Sequence, residues 1–270
     1  MKEQGLEPEA PKATITITIS ECVESHVGME KLGTLAVEGY SIDDLRHLQR
    51  EMQELNIKTE LHQLNELLPS GIEADDDAAI LILRKAGEII LEQVEMSFED
   101  LHNKLAGLDW DKQAFMKGKV VNKKARYNLC FSDKDQEPDY DAKKGRVVAL
   151  DHVPGLLVLR DLIAGTIDEN YEELKAEGNL YFDGAKCGIG WHSDLERKKV
   201  IAIRFGSDMS LCYHWFQNFK PIGTKFEVML AHGDVYVMSA KAVGNDGRKQ
   251  KIPILRHAAG CKKYTDIPDK

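Results

Sequence analysis

His192 and Asp194 stand two residues apart in Gly190-Trp191-His192-Ser193-Asp194. Where a strand bends at its exit, both side chains of such a pair can turn toward one ion. A second imidazole from a later strand would complete one face of an octahedron and leave three positions open. Two imidazoles and a carboxylate in that arrangement suit non-haem iron(II), because O2 and an oxo-acid can occupy the open positions. An isolated His-x-Asp is common in solvated loops, so its surroundings must support it. Three later histidines compete for the remaining place. His214 lies in the apolar run Leu211–Phe216 and reads as a packed or substrate-facing imidazole, while His232 precedes a Gly-Asp turn. His257 follows a further strand, far enough along for the chain to return.

The elements around these residues read as follows. Beyond residue 178 the chain is a series of short strands separated by glycine-containing turns, the pattern of an antiparallel β-sandwich or jelly roll. Ahead of it lie a short helix over 97–107, a basic stretch over 110–131, a proline-started helix over 152–165 and a further helix over 168–176. Residues 1–12 read as a disordered lead-in. Thr and Ile alternate over 13–20, predicting a half-buried strand. An amphipathic helix is predicted over 41–56, with Ser41 and Asp44 as a capping box and Ile42, Leu45, Leu48, Met52 and Leu55 as its apolar stripe. Strands at 58–64 and 78–85 would complete a small α/β unit. The expected fold class is therefore α+β, with a small N-terminal α/β domain over 1–95 and a larger domain over 96–270. The run Asp75–Asp77 reads as solvated loop charge.

Three ordered segments resemble the AlkB-like iron(II)- and 2-oxoglutarate-dependent dioxygenases. Asn179-Leu180-Tyr181-Phe182-Asp183-Gly184 is similar to the Asn-x-Tyr-x-x-Gly sequence that precedes His-x-Asp in that family. Leu230–Met238 resembles its Leu-x-x-Gly-Asp strand, and Arg256–Gly260 its distal metal-histidine segment. The resemblance spans about 115–265 and is specific over 178–260. It implies a double-stranded β-helix (jelly roll) catalytic domain with flanking helices. It further implies His192, Asp194 and His257 as iron(II) ligands, O2 as oxidant, ascorbate as a possible activator, and Asn179 and Tyr181 as partners of 2-oxoglutarate. The family's C-terminal Arg-x-Asn-x-Thr-x-Arg pattern is absent.

A dicarboxylate's far end still needs a cation, best a bidentate arginine. Alternation along Val200–Phe205 puts Val200, Ala202 and Arg204 on one face, so Arg204 would point into the barrel or, on an edge strand, into solvent. Lys262, Lys263 and Arg256 are the alternatives. The reaction expected is hydroxylation or oxidative demethylation of a C–H bond, with succinate and CO2 released.

For the substrate, the resemblance implies alkylated nucleobases. Residues 112–127 carry six cations and no carboxylate, with aromatics for stacking, which fits a single-stranded nucleic acid. Lys123, Lys124, Arg126, Tyr127 and Trp191 are the expected substrate contacts. Residues 1–100 hold 8 basic against 22 acidic side chains, and the remainder 28 against 23. That acidic front favours a protein partner, and with it two alternatives: a hydroxylase of a protein side chain, amino acid or small metabolite, and a non-catalytic interaction protein on the same fold. The five cysteines form no Cys-x-x-Cys pair. With no secretory h-region and no long apolar run, a cytoplasmic or nuclear place is expected.

Overall fold

The structure is a computed structural model that describes residues 13–249 and 251–267, so the expected lead-in over 1–12 lies outside the described residues. The first part of the chain forms β1 (Thr14–Ser20), β2 (Cys22–Glu24), β3 (Lys31–Gly33), α1 (Ile42–Glu54), β4 (Thr59–Gln63), β5 (Ala79–Leu83), α2 (Ala86–Gln93) and α3 (Phe98–Ala106). Then come β6 (Gln113–Met116), β7 (Lys119–Asn122), β8 (Tyr127–Ser132), β9 (Val147–Ala149), α4 (Pro154–Ala164), β10 (Lys175–Tyr181), β11 (Gly188–His192) and β12 (Val200–Gly206). The chain ends with β13 (Met209–Gln217), β14 (Lys220–Leu230), β15 (Val235–Met238), α5 (Ala240–Val243), β16 (Ile254–Gly260) and α6 (Lys262–Thr265).

The architecture is mixed α+β and dominated by two sheets. The larger runs β4-β5-β15-β12-β1-β10-β8-β9 and the smaller β11-β16-β13-β14. One face of the large sheet carries Ile15, Ile17, Ile19, Ile201, Ile203 and Phe205 into a core shared with α1 to α4. Its other face meets the small sheet through a second core that includes Val200, Ala202, Tyr213, Trp215 and Tyr236. Helix α1 forms as its sequence dictates: Ser41 and Asp44 close the capping box, and Leu45, Leu48 and Met52 are buried.

Three expectations need correction. The strand over 13–20 is not half-buried. It lies between β10 and β12, so its Ile face is covered by helices and its Thr face by the small sheet. Of the strands in the first 95 residues, only β2 and β3 pair apart as a two-stranded ribbon, whereas β1, β4 and β5 belong to the large sheet. The wholly apolar β5, Ala-Ile-Leu-Ile-Leu, is buried throughout and takes β4 on one edge and β15 on the other. The helix expected over 168–176 is a single 3-10 turn at Tyr171–Glu173, after which β10 begins. Pairing of Lys175–Tyr181 with β1 outweighs the local helical preference. Among the described residues no helix is long and apolar enough to cross a membrane.

Candidate metal centre and its cavity

His192 ends β11 and faces His257 directly across the β11–β16 pair, with a register irregularity between Ile189 and His192. That irregularity bends the strand where the sequence anticipates a turn, and Asp194 follows two residues on. The ring centroids of His192 and His257 are 4.2 Å apart. Asp194 Oδ1 lies 3.4 Å from His192 Nε2 and 3.7 Å from His257 Nε2. His192, Asp194 and His257 thus converge on one point, as the sequence predicts.

The hydrogen bonding and electrostatics around the three residues suit ligation. His192 Nδ1 lies 2.8 Å from the Gly190 carbonyl and donates to it, which orients the ring with Nε2 toward Asp194. Burial, with His192 beside it, pulls the His257 imidazole down to about 3, keeping it neutral. Burial alone would raise Asp194, but the imidazoles of His257 and His192 and the Arg197 guanidinium hold it below the usual carboxylate range. The loop after α5 closes on this turn. A Cβ at Gly247 would sit 2.6 Å from the Ser193 side chain, so only glycine fits there.

The triad opens on a cavity of about 180 Å³ between the sheets. Cross-strand register sets a polar row along its floor. Asn128 on β8 opposes Asn179 on β10, which opposes Thr16 on β1, which opposes Arg204 on β12. Arg204 is 1% exposed, and neither its Nε nor its Nη1 has a hydrogen-bond partner. The neighbouring Thr16 hydroxyl is also buried without one. Asn179 accepts from Arg126 Nε at 2.6 Å and from Asn128 Nδ2 at 2.8 Å. Tyr181 is buried and lines the cavity beside them.

Several expected residues lie elsewhere. Lys262 and Lys263 are exposed on α6 and do not line the cavity, because the short helix turns them outward. Arg256 lies 4.7 Å over the Phe216 ring. Of the expected substrate contacts, Arg126 alone lines the cavity. Lys123 is a strut: its Nζ donates to the Ser25 carbonyl, and burial pulls it down to about 8. Lys124 is exposed, and Tyr127 stacks on Phe182 at 4.5 Å. Trp191 alternates away from His192 and donates through Nε1 to the Asp266 carbonyl. His214 is a packed imidazole, edge-on to Trp191 at 6.0 Å. Thr16, Glu24, Glu177, Arg197 and Tyr236 line the cavity without having been anticipated. For Thr16 a signal existed, since the Thr/Ile alternation of β1 aligns Thr16 and Thr18 on one face.

Glu99, His102 and His232 form a second cluster. His232 Nδ1 accepts the Gly206 N–H at 2.9 Å, so its Nε2 carries the proton and points it at Glu99, 3.7 Å away. A nitrogen protonated in this way has no lone pair for a metal.

No family model matches the chain. It is 44% identical over 256 residues to "Uncharacterized protein R156" of Acanthamoeba polyphaga mimivirus, an alignment covering 94% of this chain and 98% of the relative. The chain belongs to the family of that viral protein.

Proposed function

We propose that this protein is an AlkB-like iron(II)- and 2-oxoglutarate-dependent dioxygenase built on a double-stranded β-helix. The observation that carries the reading is Arg204, a fully buried guanidinium with two unpartnered donor nitrogens in the same cavity as a His-Asp-His triad. An uncompensated buried charge is costly, and a carboxylate ligand would offset that cost. The donor set fits iron(II): two imidazoles and a carboxylate on one side, with the cavity on the other. Bound there, iron(II) would supply the activation of O2. Arg204 and the Thr16 hydroxyl would grip the distal carboxylate of 2-oxoglutarate, and Asn179 and Tyr181 would flank it. One oxygen atom would enter a substrate C–H bond as hydroxyl, the other would end in succinate, and CO2 would leave.

A nucleobase substrate rests on the basic segment 112–127, of which Arg126 alone reaches the cavity lining. The carboxylates that share this lining favour the alternative, a hydroxylase of an amino acid, protein side chain or small metabolite. A non-catalytic role would leave Arg204 buried without a purpose. The test is succinate formation from 2-oxoglutarate by the full chain with iron(II) and ascorbate under air, beside a His257→Ala control. Succinate that requires iron and His257 supports the reading. Absence of any metal-dependent 2-oxoglutarate binding overturns it.

A further inference from the structure

Arg204 accounts for one part of the cavity lining; Glu24, Glu177, Glu196 and Arg197 form another. Arg197 is already committed. Its Nη2 meets Glu177 Oε2 at 2.5 Å, its Nε donates to Glu196 Oε1 at 2.9 Å, and it lies 3.9 Å from Asp194. Glu24, at the end of β2, is left over. It is 7% exposed, and its Oε2 is buried with no hydrogen-bond partner. Lys31 stands opposite it across the β2–β3 pair, but the Lys31 side chain is exposed, and among the described residues the two form no ion pair.

Buried polar atoms without partners are rare, and one in a cavity wall is open to the polar group of a ligand. A lone carboxyl group flanked by two further carboxylates asks for a donor with positive charge. Burial first, then Glu196 and Glu177, push Glu24 up to about 7, against the pull of Lys31 and Arg197. The cavity end is thus poised to release a proton when a cation arrives. An alkylammonium group brings three donors on a compact charge. Val27, 79% exposed in the cavity lining, offers apolar surface beside it.

We propose that the substrate of this site carries a primary alkylammonium group, received by Glu24, with its alkyl chain extending toward His192 and Asp194. The fate of that chain, conversion of C–H to C–OH, rests on the dioxygenase reading; the binding itself does not.

The experiment titrates the full chain calorimetrically at pH 6 with Nα-acetyl-lysine amide and with its Nε-acetylated derivative. A parallel titration of the iron-loaded wild-type protein uses 2-oxoglutarate. The free amine should bind at least about tenfold more tightly than the acetylated probe. Its heat should vary with the buffer's ionisation enthalpy as a proton leaves Glu24, and Glu24→Gln should lose both the preference and the proton. Equal affinity for the two probes overturns the inference. So does binding of neither while 2-oxoglutarate binds, an outcome that leaves the dioxygenase reading intact. Amine preference without 2-oxoglutarate binding overturns that reading instead and supports the inference. Free lysine against a lysine-containing pentapeptide distinguishes a metabolite from a protein source, and a methylated oligonucleotide that binds where the amine does not overturns the proposal.

Discussion

Arg204 on β12 stands directly opposite Thr16 on β1, and the two present three buried polar atoms without partners to the cavity. The relationship makes opposite predictions for the free and the liganded protein. Arg204→Met removes an unpaired buried charge while keeping most of its volume. The free protein should therefore be unchanged or stabilised, by about 1–4 kcal/mol. The variant should lose 2-oxoglutarate affinity about thirtyfold or more, since the ligand's carboxylate would lose its charged partner. Thermal unfolding with and without 2-oxoglutarate measures both, and an Arg204→Met protein less stable than wild type in both conditions would show that Arg204 is structural.

The three triad residues converge at a point where the Nε2 atoms of His192 and His257 face one carboxylate oxygen of Asp194. Iron(II), or cobalt(II) as a spectroscopic substitute, should raise the unfolding free energy by about 2.7 kcal/mol at a hundred times its dissociation constant. Asp194→Ala should abolish that increment and the cobalt spectrum together. A chelator should lower the wild-type melting temperature and leave that of Asp194→Ala unmoved. Metal-dependent stabilisation that survives in Asp194→Ala would place the ion elsewhere.

The triad was legible because its chemistry is local: His192 and Asp194 are near neighbours, and the strand that brings back His257 follows within the same run of short strands. Arg204 was legible through alternation alone. Glu24, Glu177 and Arg197 were not, because each sits in a segment whose pattern reads as ordinary strand or loop. They meet only because β2 packs beside β10 and the turn after Asp194 folds inward. Of the basic segment, Arg126 alone reaches the cavity lining. Charge counts report how many cations a stretch holds, whereas the cavity is reached by the one placed beside it, Arg126, just ahead of β8. The acidic front of the chain differs in composition from the rest, yet its strands β1, β4 and β5 pair within the large sheet.

Glu24 also carries a pH signature. Its folded-state value of about 7 lies above the ordinary 4.5, so folding favours the protonated form. Its contribution to stability is fully present below about pH 4.5 and is lost as the pH rises through about 7. Glu24→Gln mimics the protonated state at every pH. The variant should match wild type near pH 5 and exceed it at pH 8 by about 1–2 kcal/mol, allowing for partial solvent screening. Urea unfolding at the two pH values measures the difference, and parallel curves would show that Glu24 titrates normally.

The position of β1 predicts what truncation does. β1 is hydrogen-bonded to β10 along Thr14–Ser20 and to β12 along Thr14–Ile19, and it supplies Ile15, Ile17 and Ile19 to the core beneath the helices. Removing residues 1–95 would expose the inner edges of β10 and β12, bare the apolar face that those three isoleucines cover, and strip β4 and β5 from β15. Burial of each isoleucine is worth about 1.5–3 kcal/mol, and unpaired strand edges invite aggregation. A fragment of residues 96–270 should therefore be insoluble or lack a cooperative unfolding transition, whereas residues 13–270 should unfold cooperatively. A soluble, cooperatively folding 96–270 fragment that binds metal would establish an independent C-terminal domain. If the fragment fails while 13–270 succeeds, the acidic front half is part of the scaffold on which Asn179, Thr16 and Arg204 are aligned.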